Sequence, residues 1–326
     1  MKTRLTDFGL RWLNLALTAR CNMRCLFCPI NDFQYTTTEM DVGLAERIFT
    51  ELQEDGTIRF VALAGFGEPF CHPGLPDILT CAKVHAIPVK LATNGTLLNA
   101  AAHDWLGHDP EFLKISVQNL NQEEFTRLRG CRMSFNKYLR GIADFLLQGI
   151  KGGSSTQVVI DLAYTGDDYL LERNLAPPRD HLFERRARAF VRTFVGDYLG
   201  MPFERSRWKF DSPDWDAIHG EVVYEATPNI RFCLKNFWQI TDIARNRPTP
   251  DRFTCRNDYL WINMCGDVRL CCNDYVGATS IGNVAETPLL DLVRSSEDVV
   301  TDRDFTRCRN EYCRRCRGDS GDADPS

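Results

Sequence analysis

No apolar run in this chain approaches the roughly 18 to 20 residues that span a membrane. The longest apolar stretch near the start, Leu13 to Leu17, is interrupted by Asn14, and no apolar segment leads into a small-residue cleavage site. Together these absences predict a cytoplasmic protein with no membrane partner. An excess of positive charge is missing too. Lys and Arg number 39 against 44 Asp and Glu, a net charge of -5, so no basic field draws the chain to nucleic acid. Internal repeats are absent, and low-complexity sequence is confined to a polar tail from Gly318. What is there is globular: 326 residues, 44% hydrophobic and 25% charged, values that exclude disordered, collagen-like and coiled-coil chains.

Five short, nearly continuous apolar segments read as buried parallel strands: Trp12 to Leu17, Ile58 to Ala64, Pro88 to Thr93, Phe112 to Val117 and Gln157 to Tyr164. Helical patterns lie between them. Met40 to Gln53 puts Val42, Ala45, Ile48, Phe49 and Leu52 on one face, with Thr38 as the expected N-cap and Gly56 beyond the end. Ser134 to Gln148 repeats the pattern, with Gly149 as the expected stop, and His181 to Leu199 forms a third helix whose Arg residues read as a solvated face. Alternation of strand and helix implies βαβ units and a parallel sheet or barrel. Between Met201 and Asp258 periodicity fades, and the spacing predicts a sixth strand and a domain boundary. Beyond it, Tyr259 to Met264 and Val268 to Cys272 read as a hairpin around Gly266-Asp267, followed by a helix opened by Thr287 and Pro288.

The 14 cysteines give the chain its chemistry, because grouped thiols in a reducing compartment more often bind metal than form disulfides. Cys21, Cys25 and Cys28 form Cys-x3-Cys-x2-Cys in the loop after the first strand. Three thiolates from one loop can hold three irons of a 4Fe-4S cluster and leave the fourth open. The competing reading is three core cysteines, but Ala19 to Arg24 is polar and gives a core little to bury.

The spacing, with aromatic Phe27 before the third Cys, resembles the radical SAM superfamily. Further segments agree in order: Gly65-Phe66-Gly67-Glu68-Pro69, Thr93-Asn94-Gly95, Ser116 to Gln118 and Leu128-Arg129-Gly130. The resemblance implies a partial (β/α)6 TIM-like barrel of the α/β class over residues 1–245, with S-adenosylmethionine at the C-terminal strand ends. Phe27, Gly65, Gly67, Glu68, Asn94, Ser116, Gln118 and Arg129 would contact that cofactor, Glu68 receiving its ammonium. Its implied chemistry is reductive cleavage to a 5'-deoxyadenosyl radical that abstracts hydrogen from substrate.

A second group follows: Cys255-x10-Gly266-x4-Cys271, then Cys313-x2-Cys316. Four thiolates suit a fully ligated 4Fe-4S cluster or a structural zinc ion, and spacing leaves both open. With Trp261, Gly266-Asp267-Val268, Cys271-Cys272-Asn273-Asp274 and Ile281-Gly282-Asn283-Val284, the stretch resembles the SPASM domain, closest to its shortened twitch form. This implies an auxiliary-cluster domain of β-hairpin and helix over residues 246–326, held by Cys255, Cys271, Cys313 and Cys316, with Cys308 as a possible replacement ligand. Successive strand side chains face opposite ways, so Cys271 and Cys272 do not share one cluster without a bulge. Cys272 is either a buried hydrophobe or a hydrogen-atom donor. Cys71, Cys81, Cys131 and Cys233 read as core or incidental.

The expectation is therefore an enzyme with S-adenosylmethionine and two 4Fe-4S clusters, one catalytic and one auxiliary. It would draw electrons from flavodoxin or ferredoxin and oxidise or epimerise a small sugar or aminocyclitol. Twenty residues before Cys21 leave no room for a leader-peptide recognition domain, which favours a small substrate over a ribosomal peptide. The alternative of another class is a non-enzymatic iron-sulfur or zinc protein.

Overall fold

The computed structural model describes residues 3–26, 28, 30, 38–99, 108, 110–164, 181–211, 221–236, 258–271, 274 and 276–301. Its strands are β1 (Trp12–Leu15), β2 (Phe60–Leu63), β3 (Val89–Thr93), β4 (Phe112–Ser116), β5 (Gln157–Tyr164), β6 (Trp208–Asp211), β7 (Glu221–Thr227), β8 (Ile230–Asn236), β9 (Tyr259–Ile262), β10 (Asp267–Arg269) and β11 (Ser280–Asn283). Its main helices are α1 (Val42–Asp55), α2 (Leu75–Val84), α3 (Gln122–Arg129), α4 (Phe135–Lys151), α5 (His181–Thr193) and α6 (Leu289–Ser295). The described residues fall in two compact units, one within Met1–Cys21, Phe27–Val89 and Gln239–Ser326, the other within Asn22–Leu26 and Lys90–Trp238.

In the first unit the strand order is β11-β10-β9-β1-β2. β1 runs parallel to both β2 and β9, while β9, β10 and β11 are antiparallel. All four residues of β1 are buried, as expected of a parallel strand covered on both faces. Trp12 stacks between Phe60 and Tyr259, with ring centroids 5.2 and 4.3 Å away. α1 begins at Val42, two residues later than expected, and Thr38 is not its N-cap. Residues 38–40 are extended beside Leu17 to Ala19, with Ala19 N donating to Thr38 O at 2.9 Å and Met40 N to Leu17 O at 2.7 Å. Asp41 caps the helix by accepting from Leu44 N, and Gly56 closes it in the left-handed region. α1 also carries the C-terminal elements: Arg47 Nη2 donates to Val284 O at 3.1 Å and Glu51 Oε2 accepts from Leu289 N at 2.8 Å. Burial pushes the Glu51 carboxyl above its ordinary value, opposed by that Leu289 N–H and by Arg47.

In the second unit the order is β3-β4-β5-β8-β7-β6. The first four strands are parallel and the last two join antiparallel, leaving this sheet open instead of closed into a full barrel. Where one sixth strand was expected, the chain forms three, because β7 and β8 turn on Thr227 to Ile230 as a hairpin. α4 begins at the expected Ser134 cap but runs through Gly149 to Lys151 and ends at Gly152. Gly149 lies on the buried face of the last turn, so it is a packing residue and not the stop. α5 has its solvated arginines as expected: Arg186 pairs with Glu124, and Arg188 pairs with Glu184 while lying over the Trp208 ring. Among the described residues no helix is long and apolar enough to cross a membrane.

Candidate functional site

The first unit places Cys21, Cys28, Gly65, Gly67, Glu68 and Cys271; the second places Cys25, Asn94, Ser116, Gln118 and Arg129. Phe27, Cys255, Cys272, Cys308, Cys313 and Cys316 lie outside the described residues.

In the first unit the chain leaving β1 is pinned on both sides before it reaches Cys21. Thr18 bridges to Glu39, and Arg20 Nε pairs with Glu39 Oε1 at 3.1 Å. On the other side the loop after β2 lies directly on it: Glu68 N donates to Arg20 O at 2.8 Å. Gly67 makes this approach possible, since a Cβ there would stand 1.9 Å from Thr18 O. The Glu68 carboxylate is buried and accepts from Phe70 N at 3.2 Å, capping a single 3-10 turn. Cys28 Sγ lies 3.9 Å from Phe66 O. Thus the Gly65 to Pro69 segment supports the thiol loop at both its ends.

In the second unit Asn22, Asn94 and Thr96 close a ring of hydrogen bonds. Asn94 Nδ2 donates to Asn22 Oδ1 at 2.9 Å, Asn22 Nδ2 to Thr96 Oγ1 at 2.7 Å, and Thr96 Oγ1 to Asn94 Oδ1 at 2.6 Å. The turn after β3 is held from behind by Tyr138 Oη donating to Asn94 O at 2.8 Å. Residues 24–26 run beside the end of α3, with Arg24 N donating to Arg129 O at 3.1 Å and Leu26 N to Leu128 O at 2.9 Å. Arg129 is fully buried; its guanidinium donates to Ser116 O at 3.1 Å, to Gln118 Oε1, and to Met23 Sδ at 3.2 and 3.1 Å. Gln118 itself sits at φ 60°, a conformation rare outside glycine. Burial pushes the Cys25 thiol up, the Arg129 cation pulls it back, and Cys131 adds to the rise.

This arrangement corrects one expectation: the loop before Cys25 is not wholly polar, because Ala19 and Met23 are buried. Asn22, Met23 and Thr96 were not singled out from sequence, and their only signal there is proximity to Cys21 and Asn94. Of the four cysteines read as core or incidental, Cys131 and Cys233 are buried, while Cys71 and Cys81 are half-buried.

The C-terminal hairpin in the first unit turns at Asn263 to Asp267. Asn263 Oδ1 accepts from Cys265 N and Asp267 N, both at 2.9 Å, and Gly266 takes φ 91°. Strand β10 ends at Arg269, so Cys271 stands in the following loop and not in a strand as expected. That loop winds around Asp274, whose carboxylate accepts from Gly277 N, Ala278 N, Thr279 N and Thr279 Oγ1 at 2.6 to 3.1 Å. Asp274 N in turn donates to Cys271 O at 3.2 Å. Burial raises the Cys265 thiol, Asp267 adds to it, and Arg269 opposes.

Among the described residues no three His, Cys, Asp or Glu side chains stand together as ligands of one metal ion. A 4Fe-4S cluster makes a different demand, because each thiolate attaches to its own iron and the ligands spread around a body wider than an ion. Cys21, Cys25 and Cys28 are half-buried thiols, the donor type such clusters take, and the backbone at Arg20, Arg24 and Leu26 is hydrogen-bonded.

An α/β chain with an open parallel sheet and a thiol loop after its first strand is the frame of an S-adenosylmethionine radical protein. Residues 15–170 match the model of the radical SAM superfamily, and residues 255–317 match SPASM, an iron-sulfur cluster-binding domain. By these matches residues 15–170, just under half of the chain, are a radical SAM segment and residues 255–317 a SPASM segment. They imply S-adenosylmethionine and 4Fe-4S clusters as its cofactors and favour iron-sulfur over zinc at the C-terminal cysteines.

GTP 3',8-cyclase of Chlorobaculum tepidum is 31% identical over 131 residues, covering 38% of this chain and 38% of that protein. The tungsten-containing aldehyde ferredoxin oxidoreductase cofactor-modifying protein of Pyrococcus furiosus is 30% identical over 89 residues, 27% of this chain and 25% of its own length. The chain thus spans less than half the length of these two relatives. GTP 3',8-cyclase of Helicobacter pylori is 24% identical over 268 residues, covering 80% of this chain and 79% of that protein. Among solved structures, anSMEcpe with bound AdoMet has TM-score 0.56 at 14% identity, covering 96% of this chain and 92% of that one. BtrN in complex with AdoMet and 2-DOIA has TM-score 0.51 at 13% identity, covering 95% and 88%. SuiB of Streptococcus suis bound to S-adenosylmethionine has TM-score 0.56 at 16% identity, covering 96% and 74%. These likenesses are of fold.

Proposed function

We propose that this radical SAM enzyme oxidises or epimerises a small polar metabolite, a sugar or aminocyclitol, with Cys21, Cys25 and Cys28 holding the catalytic cluster. The observation that carries the reading is positional: the thiol loop follows β1, Gly65 to Pro69 follows β2, Asn94 follows β3, and Ser116 to Gln118 ends β4. Ligands of α/β sheets bind at these C-terminal strand ends. When bound, the cluster and S-adenosylmethionine supply the reductive cleavage that yields a 5'-deoxyadenosyl radical.

The chain's own residues bind and orient. Glu68, a buried carboxylate, offers the acceptor for the cofactor's ammonium, and Arg129, a buried cation beside Ser116 and Gln118, offers the donor for its carboxylate. Phe27, Gly65, Gly67 and Asn94 complete that contact set, the glycines by letting backbone approach closely. In the SPASM segment, Cys255, Cys271, Cys313 and Cys316 hold the auxiliary cluster, with Cys308 as the substitute ligand, and the Asp274 loop fixes the backbone next to Cys271. For epimerisation, the Cys272 thiol is the hydrogen-atom donor. Residues 1–245 and 246–326 are the corresponding domains, the protein works in the cytoplasm, and flavodoxin or ferredoxin supplies its electrons.

The test is incubation of the reconstituted enzyme with uniformly deuterated sugars and cyclitols, followed by mass spectrometry of 5'-deoxyadenosine. Deuterium in the nucleoside from a cyclitol or sugar supports the reading. Deuterium arriving instead from a labelled peptide would replace it with peptide modification.

A further inference from the structure

Register places Ser116 of β4, Asp161 of β5 and Cys233 of β8 side by side on one face of the second unit's sheet, with Lys114, Val159 and Arg231 in the row before them. The opposite face is apolar: Leu113, Ile115, Val158, Ile160 and Phe232 are all buried there. Against that background Lys114 Nζ lies 3.5 Å from Asp161 Oδ2, with the two side chains only 12% and 6% exposed.

A pair this buried contributes little to stability, because desolvation offsets its attraction, and apolar replacements of similar volume are often neutral or better. Its place in the sheet points to a ligand. Asp161 is level with Ser116, the last residue of β4, and its carbonyl oxygen accepts from Gln118 N at 2.9 Å. The carboxylate therefore stands level with the C-terminal end of β4, inside β5, in the unit that also carries Asn94, Ser116, Gln118 and Arg129. Next to it Phe112, Val159, Val223 and Cys233 form a buried apolar cluster. An apolar floor with a few placed polar groups is the usual make-up of a small-molecule site.

We propose that Lys114 and Asp161 are the substrate-recognition pair, selecting a neutral polyhydroxylated ring. One substrate hydroxyl donates to the Asp161 carboxylate, and the Lys114 ammonium donates to the oxygen beside it. Carboxylate and ammonium together carry no net charge, so the pair suits a neutral polyol better than an anion of the same size. This inference rests on the proposed function and narrows its substrate class.

The experiment is calorimetric titration of the reconstituted full chain, with saturating S-adenosylmethionine, by myo-inositol and by gluconate. Wild type is expected to bind myo-inositol and to discriminate against gluconate. Asp161→Asn, which keeps the volume and one acceptor, is expected to weaken myo-inositol binding by about tenfold. Lys114→Met with Asp161→Leu is expected to abolish it while keeping the melting temperature within about 3 °C of wild type. No myo-inositol binding by wild type, equal binding by the double variant, or collapse of the double variant's fold would each overturn the proposal. Basal 5'-deoxyadenosine formation by wild type is measured on the same samples. Its absence would count against radical chemistry and leave the binding result to be read separately.

Discussion

Gly67 lies so close to Thr18 that no side chain fits between them: a Cβ would stand 1.9 Å from the Thr18 carbonyl oxygen and 2.9 Å from that of Arg20. Both neighbours are backbone, so neither can swing away. Gly67→Ala is expected to force the β2 loop off the segment leading to Cys21, costing more than about 2 kcal/mol and lowering the iron retained after reconstitution. Gly196, with nothing within 4 Å of its Cβ position and a helical setting, is the control. Gly196→Ala should leave stability unchanged or slightly raised. Thermal denaturation and iron analysis of both variants check the contrast.

Asp274 organises the loop beside Cys271 through four accepted hydrogen bonds. Asp274→Ala leaves buried donors without that acceptor, at about 1 to 3 kcal/mol for each group left unsatisfied. Asp274→Asn, which keeps one acceptor oxygen, should fall between alanine and wild type. Hydrogen exchange across residues 276–283 is expected to quicken in the same order, and equal exchange in all three proteins would contradict this role.

Tyr138 supports the turn after β3 through its hydroxyl on Asn94 O, while its ring stacks on Phe125 at 4.7 Å. Tyr138→Phe keeps the stacking and removes one hydrogen bond, so a loss of about 1 kcal/mol is expected in chemical denaturation. Because Asn94 belongs to the proposed cofactor contacts, the same variant should bind S-adenosylmethionine severalfold more weakly. A stability loss with unchanged cofactor affinity would detach this turn from the cofactor.

Glu51 carries a pH dependence of definite sign. Its carboxyl is raised by burial, with Asp291 and Glu54 adding to the rise and Leu289 N–H and Arg47 opposing it, so the folded protein holds that proton more tightly than the unfolded chain does. The protonated form is favoured on folding, and this contribution fades as pH rises from the ordinary carboxylate range through the raised value. Glu51→Gln keeps an oxygen for Leu289 N and is always neutral. It should therefore melt higher than wild type at pH 7, with the advantage shrinking toward pH 4. A constant difference across that range would contradict the assignment.

The five expected parallel strands were legible because burial on both faces demands continuous apolar runs, which Trp12–Leu15 and Phe60–Leu63 display. The glycine positions of the candidate site were legible by motif. What escaped depends on partners distant in sequence. Asn22 meets Asn94 and Thr96 across more than 70 residues, and side-chain rings of that kind leave no periodicity. Thr38 looked like a cap because the pairing of residues 38–40 with Leu17 to Ala19 is tertiary, which moves the helix start to Asp41. Gly149 looked like a stop because Gly commonly ends helices, yet packing of the last turn carries α4 on to Gly152. β6 to β8 were compressed into one strand because proline and mixed polarity mask the hairpin pattern.

The central claim is that Cys21, Cys25 and Cys28 hold a cluster that drives cleavage of S-adenosylmethionine. The direct measurement is 5'-deoxyadenosine formed anaerobically from dithionite and S-adenosylmethionine, comparing wild type with the Cys21→Ala, Cys25→Ala, Cys28→Ala triple variant after iron-sulfur reconstitution. Nucleoside from wild type alone is the predicted result, with the triple variant retaining only the iron of the auxiliary cluster. Equal nucleoside from the triple variant would contradict the account, as would none from a fully reconstituted wild type.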